Sequence, residues 1–126
     1  MKKTTILVSR CLLGVPCRYH GRAVAHHSRI KSLEQTGKYQ IIDICPEVDA
    51  GLSVPRPPTR VRNGALVCGG RDVSGDFERG AQMAVARARE CGACKAYLVK
   101  GSPSCDRTKG VAAMALQSAG VKVVAI

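Results

Sequence analysis

At 126 residues with 45% apolar content, the chain suits one domain, long enough to bury roughly two-thirds of the surface its unfolded form exposes. No apolar stretch reaches the roughly 20 residues of a bilayer span, and Met1-Lys2-Lys3-Thr4-Thr5 lacks the apolar core of a signal peptide, so the expectation is a soluble cytoplasmic protein with no membrane partner. A formal charge of +11 favours anionic partners, but one Phe, three Tyr and no Trp supply a poor stacking platform for single-stranded RNA.

Thr4 to Val8 is apolar and β-branched without alternation, the pattern of a strand covered on both faces. It ends at Ser9-Arg10-Cys11, and a loop runs on to Gly21. Ala23 to Thr36, with Val24, Ile30 and Leu33 among polar residues and Gly37 as a stop, predicts a helix. Tyr39 to Ile44 is a second strand, and Pro46, which donates no ladder hydrogen bond, should end its pairing near Cys45. Asp49 to Pro58, closing on Pro55-Arg56-Pro57-Pro58, reads as extended chain. Thr59 to Val61 and Ala65 to Val67 flank Asn63-Gly64, a type I′ turn pair, and give a hairpin appendage at about residues 59–68. Ser74 as N-cap, Asp76 and Glu78 in the first turn, and Phe77, Ala81, Ala84, Val85, Ala88 and Cys91 at helical spacing predict a long helix stopped by Gly92. Lys95 to Val99 is a third strand, Gly110 to Ala119 a short helix, and Val121 to Ile126 a last strand. This alternation predicts a single-domain, three-layer, Rossmann-like α/β fold over residues 1–126. It has a mostly parallel four-stranded sheet, helices on both faces and a small β-hairpin appendage.

Seven cysteines are an odd number in a chain without an export signal, so reduced thiols and metal ligation fit better than a disulfide framework. Three of them, Cys11, Cys45 and Cys105, follow strand ends, and ligands of open α/β sheets gather beyond the carboxyl ends of strands. Singly, each is a small buried hydrophobe as readily as a ligand. Together, they would leave one vacancy on a zinc ion or on the fourth iron of a 4Fe-4S cube. Cys17 is a fourth ligand, a substrate-facing thiol or a packing residue, the last two favoured because it lies beyond Pro16.

Glu47 is the one carboxylate inside a cysteine motif. Like charge from thiolates would raise its pKa and make it a proton acceptor, whereas an N-cap or a surface ion pair is the plainer role. Ser102 and Ser104, either side of Pro103, either donate hydrogen bonds to a substrate or serve only the turn. Arg56 holds an anionic group or, more simply, decorates a linker. Cys91-Gly92-Ala93-Cys94 lies at a helix C-terminus, where the dipole disfavours the thiolate of a redox pair. Cys17 with His20, His26 and His27 makes only a weak zinc half-site, and Cys68 has no evident partner. No Walker or dinucleotide fingerprint is present.

These motifs resemble a known family. Ser9-Arg10-Cys11-Leu12-Leu13-Gly14 with Cys17-Arg18-Tyr19, then Cys45-Pro46-Glu47, Pro55-Arg56-Pro57-Pro58, Asp72-Val73-Ser74 and Ser102-Pro103-Ser104-Cys105 are similar, in order and over nearly the whole chain, to domain of unknown function 523. Its characterised members are thiouracil desulfidases. The resemblance implies a 4Fe-4S cluster on Cys11, Cys45 and Cys105, Glu47 as general base, and Ser102 in substrate binding or proton relay. Cys17, Ser104 and Arg56 are weaker substrate candidates. It further implies non-redox C–S hydrolysis of a thiolated pyrimidine, with sulfur taken by the open iron and water activated by Glu47, giving uracil and hydrogen sulfide. The implied partner is a small thiolated nucleobase, with nucleic acid less favoured. Two positions depart from the pattern. His20 stands where relatives carry an acid, and Asp106 to Lys109 replaces a longer Gly-rich loop, which would leave the site unusually open. The competing expectations are a zinc-binding or redox-sensing module without catalysis and a basic RNA-binding accessory protein.

Overall fold

The computed structural model describes residues 3–22 and 24–126. In chain order the elements are β1 (Thr4–Ser9), α1 (Ser28–Gln35), β2 (Tyr39–Ile44), α2 (Pro46–Asp49), β3 (Thr59–Arg62), β4 (Ala65–Cys68), β5 (Arg71–Asp72), α3 (Ser74–Cys91), β6 (Lys95–Leu98), α4 (Val111–Ser118) and β7 (Lys122–Ala125). A 3-10 turn, Arg10–Leu13, leads out of β1. The main sheet has the order β2-β1-β6-β7 and every pairing in it is parallel. The strands ending toward Cys11, Cys45 and Cys105 are therefore β1 and its two neighbours. β1 occupies the middle because Ile6, Leu7 and Val8 are fully buried, a run that only a strand covered on both faces can satisfy.

Leu7 points into a core with Ala81, Ala84 and Ala88 of α3 and Ala112, Ala113 and Leu116 of α4. Ile6 and Val8 point the other way, to Ile30 of α1, Leu12 and Tyr97. Helices thus cover both faces, as the sequence predicts. Alanine dominates the first core, so the helices sit close to the sheet and to each other. The closest approach is at Gly80 of α3, where any β-carbon would fall well inside van der Waals contact of the Pro46 carbonyl oxygen. That contact holds α3 against the start of α2, which follows Cys45 and carries Glu47.

Several boundaries differ from expectation. The first helix begins at Ser28, not Ala23; Ala23 lies outside the described residues, and Val24 to His27 are not helical. His27 is the reason: its Nδ1 accepts from Arg29 N at 3.1 Å and caps the helix, while its own N–H is taken by Leu12 O at 2.8 Å. Ser74 is the first residue of α3 and not its N-cap. Its N–H donates to Asp72 Oδ1 at 2.9 Å, and its hydroxyl accepts from Leu66 N at 2.9 Å, tying the helix to the appendage. The appendage is a three-stranded antiparallel sheet, β3-β4-β5, because the chain turns back once more at Gly69-Gly70. Its first turn is as predicted, with Asn63 at φ 51° and Gly64 at φ 79°.

Candidate active site

The carboxyl edge of β2, β1 and β6 opens on a cavity of about 230 Å³ lined by Cys11, Cys17, Cys45 and Cys105 together with Glu47, Arg56, Ser102 and Ser104. This volume is far more than a single water needs. Each cysteine arrives by a different local device. Cys11 sits in the 3-10 turn after β1, whose exit is a left-handed Gly14 at φ 86°. Cys45 stands at the N-cap position of the short helix begun by Pro46, its side chain left free of any capping bond. Cys105 is presented by the turn after β6, which α4 anchors, since Ala112 N and Ala113 N both donate to Ser104 O, at 2.9 and 3.1 Å.

Cys11, Cys17 and Cys105 are buried, and Cys45 is half-buried. Cys17 is more central than its place beyond Pro16 suggests, because its thiol hydrogen-bonds both Cys11 and Cys45. Its bond to Cys11 holds the Cys11 thiol below the ordinary value, with nearby Arg18 assisting, against burial and the other two thiols. The same bond pushes Cys17 up to about 11. Cys45 is raised by its bond to Cys17 and by burial. Burial pushes Cys105 up to about 11, although the hydroxyls of Ser9 and Ser104 both reach its sulfur. Protons would thus leave from Cys11 first, which a metal ligand must do.

The donor set suits an iron-sulfur cluster: three thiols face one cavity, Cys11 close enough to sense the charge of both Cys45 and Cys105, with hydroxyl donors at hand for sulfur. Among the described residues no three His, Cys, Asp or Glu side chains converge as ligands of a single metal ion. What the cysteines share is the cavity.

The polar wall is a continuous chain of bonds. Ser102 Oγ lies 3.1 Å from Ser104 Oγ, Ser104 Oγ donates to Glu47 Oε2 at 2.8 Å, and Arg56 Nη2 donates to Glu47 Oε1 at 3.0 Å. Glu47 and Arg56 are 8% and 9% exposed, so this is a buried ion pair and neither a surface pair nor linker decoration. The expectation for Arg56 fails because proline-bounded chain is not free chain here: Arg56 N donates to Tyr19 O at 2.7 Å, and Nη1 donates to Ser53 O at 3.0 Å. Ser102 Oγ also accepts from Ser104 N and Cys105 N, at 3.2 and 3.1 Å, which fixes the turn that carries Cys105.

Other residues were not singled out from sequence. Ser9, 2% exposed, links strands by accepting from Val99 N at 3.0 Å while touching Cys105. Arg10 bridges Asp43 at 2.7 Å and Asp49 at 2.9 Å, and Asp49 Oδ2 accepts from Cys45 N at 3.1 Å. The acid four residues after Cys45 was the available signal. Three other groups stand apart from the cavity. Cys91 ends α3, with Cys94 exposed beyond it; Cys68 donates to Pro57 O at 3.0 Å. His20 and His27 bond adjacent backbone and His26 bonds Glu34. Asp106 to Lys109 form a tight turn around the Asp106 carboxylate, and none of them lines the cavity.

The chain is similar to the uncharacterized protein YbbK of Bacillus subtilis (strain 168), 30% identical over 144 residues, covering 94% of this chain and 93% of that one. It is also similar to the solved structure of the 4Fe-4S-dependent thiouracil desulfidase TudS, with a TM-score of 0.83 and 33% identity over 98% of this chain and 91% of that chain. The model of the 2-thiouracil desulfurase family matches residues 6–125. The chain, over essentially its whole described length, belongs to the 2-thiouracil desulfurase family.

Proposed function

We propose that the protein hydrolyses the C=S bond of a thiolated pyrimidine such as thiouracil, without net electron transfer, using a 4Fe-4S cluster held by Cys11, Cys45 and Cys105. The observation that carries this is the meeting of three strand-end thiols and a buried Glu47–Arg56 pair in one cavity, in a chain whose similar structure is a 4Fe-4S-dependent thiouracil desulfidase. When bound, the cluster would supply an iron without a protein ligand, a Lewis acid for the sulfur of the substrate.

The protein's own residues do the rest. Glu47 takes a proton from the attacking water; each of its oxygens is engaged once, by Arg56 or Ser104, and keeps a lone pair free. Arg56 orients that carboxylate and balances its charge where both side chains are almost closed to bulk solvent. The Ser102–Ser104–Glu47 series gives the proton a route to the substrate side of the cavity, so Ser104 is the link and Ser102 the terminus. Ser9, whose hydroxyl accepts from Val99 N and keeps its own proton for the nearby Cys105 sulfur, favours the thiolate form of that residue.

The test is anaerobic reconstitution followed by sulfide-release assays with 2-thiouracil and 4-thiouracil. Turnover that disappears in Glu47→Gln, with visible absorbance retained, is the expected result. Iron uptake with no sulfide from either base would remove the reaction. Four-ligand zinc binding without colour would remove the cluster as well.

A further inference from the structure

Taking the substrate to be a planar thiolated base, as above, we propose that Tyr19 is its stacking platform and so a specificity-determining residue. Among the described residues lining the cavity, Tyr19 is the only aromatic one. The other aromatics are placed elsewhere: Phe77 and Tyr97 are 1% and 3% exposed in the core, and Tyr39 lies at the start of β2. Tyr19 is 47% exposed, so a large ring edges a cavity whose inner wall is thiols and a buried ion pair. Leaving that much aromatic surface in water forgoes burial that a flat ligand would restore.

The ring is also held in place before any ligand arrives. Its residue's carbonyl accepts from Arg56 N at 2.7 Å, and Gly21 N closes a turn onto Arg18 O at 3.0 Å. His20 packs against the ring in an edge arrangement, centroids 5.2 Å apart. Arg56 thus joins the two ends of the site, with its backbone on Tyr19 and its guanidinium on Glu47. A base stacked on Tyr19 would present its edge to the polar wall that carries Glu47 and Ser104. Stacking is indifferent to which ring position bears sulfur, so Tyr19 selects for planarity and leaves 2-thio and 4-thio isomers to be sorted by the wall.

The experiment is calorimetric titration of the anaerobically reconstituted protein and its Tyr19→Phe and Tyr19→Leu variants with uracil and with 5,6-dihydrouracil. The second ligand keeps the oxo and N–H groups but is no longer flat. Uracil should bind Tyr19→Phe within about twofold of the unaltered protein and Tyr19→Leu about five- to hundredfold more weakly. Dihydrouracil should bind all three alike. Equal uracil binding by Tyr19→Leu, an equal loss in Tyr19→Phe, or no uracil binding by the unaltered protein overturns the proposal. If uracil binds in the expected pattern but no thiolated base releases sulfide, the platform stands and the reaction assigned above falls. If sulfide is released with the same KM in Tyr19→Leu, the platform alone falls.

Discussion

Arg56 fills a role out of proportion to its place between two prolines. Its guanidinium is the only cation bonded to Glu47 among the described residues, and both side chains are almost fully enclosed. Removing one member of such a pair strands the other as a buried charge, so Arg56→Met should destabilise the metal-free protein by about 3–5 kcal/mol in a urea titration. Arg56→Lys should recover only part of this, because an ammonium cannot bond Glu47, Ser53 O and Cys17 O as the guanidinium does. Glu47→Gln loses the charge that balances Arg56 but keeps an amide oxygen to accept from it, so it should cost less stability than Arg56→Met while kcat falls about 10²- to 10⁴-fold, the usual worth of a positioned base. Ser104→Ala, which cuts the link between Ser102 and Glu47, should lower kcat with little change in KM.

At the scale of elements, two glycines let helices approach the site more closely than any other residue would. Gly80 puts α3 against the Pro46 carbonyl, and a β-carbon on Gly110 would lie 2.6 Å from Ser104 O. Gly80→Ala must push α2 away, a cost of about 1–3 kcal/mol, and should reduce iron uptake because Cys45 and Glu47 flank Pro46. The turn after Cys105 depends on Asp106, whose carboxylate accepts from Gly101 N at 2.8 Å and from Thr108 and Lys109. Its backbone bond to Gly101, then its bond to Thr108, hold its pKa below the ordinary carboxylate value. The sign follows: its contribution is complete above about pH 4 and disappears as pH falls through the lowered value. The gap in Tm between the unaltered protein and Asp106→Asn should therefore be constant from pH 7 to about pH 4 and shrink below it, as differential scanning fluorimetry would register.

For the molecule as a whole, what could be read from sequence was what repeats along the chain. Unbroken apolar strands, one strongly periodic helix and Asn63-Gly64 gave the alternating architecture, since period and turn chemistry are local. The convergence of Cys11, Cys45 and Cys105 was also legible, because parallel neighbouring strands must present their carboxyl ends on one edge, as the order β2-β1-β6 does. Contacts between residues far apart in sequence were not. The thiol of Cys17 near Cys11 and Cys45, the Glu47–Arg56 pair and the bond from Arg10 to Asp49 arise from packing that no spacing rule encodes, whereas the acid four residues after Cys45 was a local signal for the Cys45–Asp49 bond. The late start of α1 had the same origin, since a bond from His27 to Leu12 overrides the helical pattern before Ser28. The most direct measurement is sulfide released from 2-thiouracil by the anaerobically reconstituted protein, set beside its Cys105→Ser variant. Sulfide and uracil in equal amounts, abolished by the substitution along with the visible absorbance, are expected; turnover that persists without Cys105, or a fully loaded protein that releases none, would contradict a reaction centred on the three strand-end thiols.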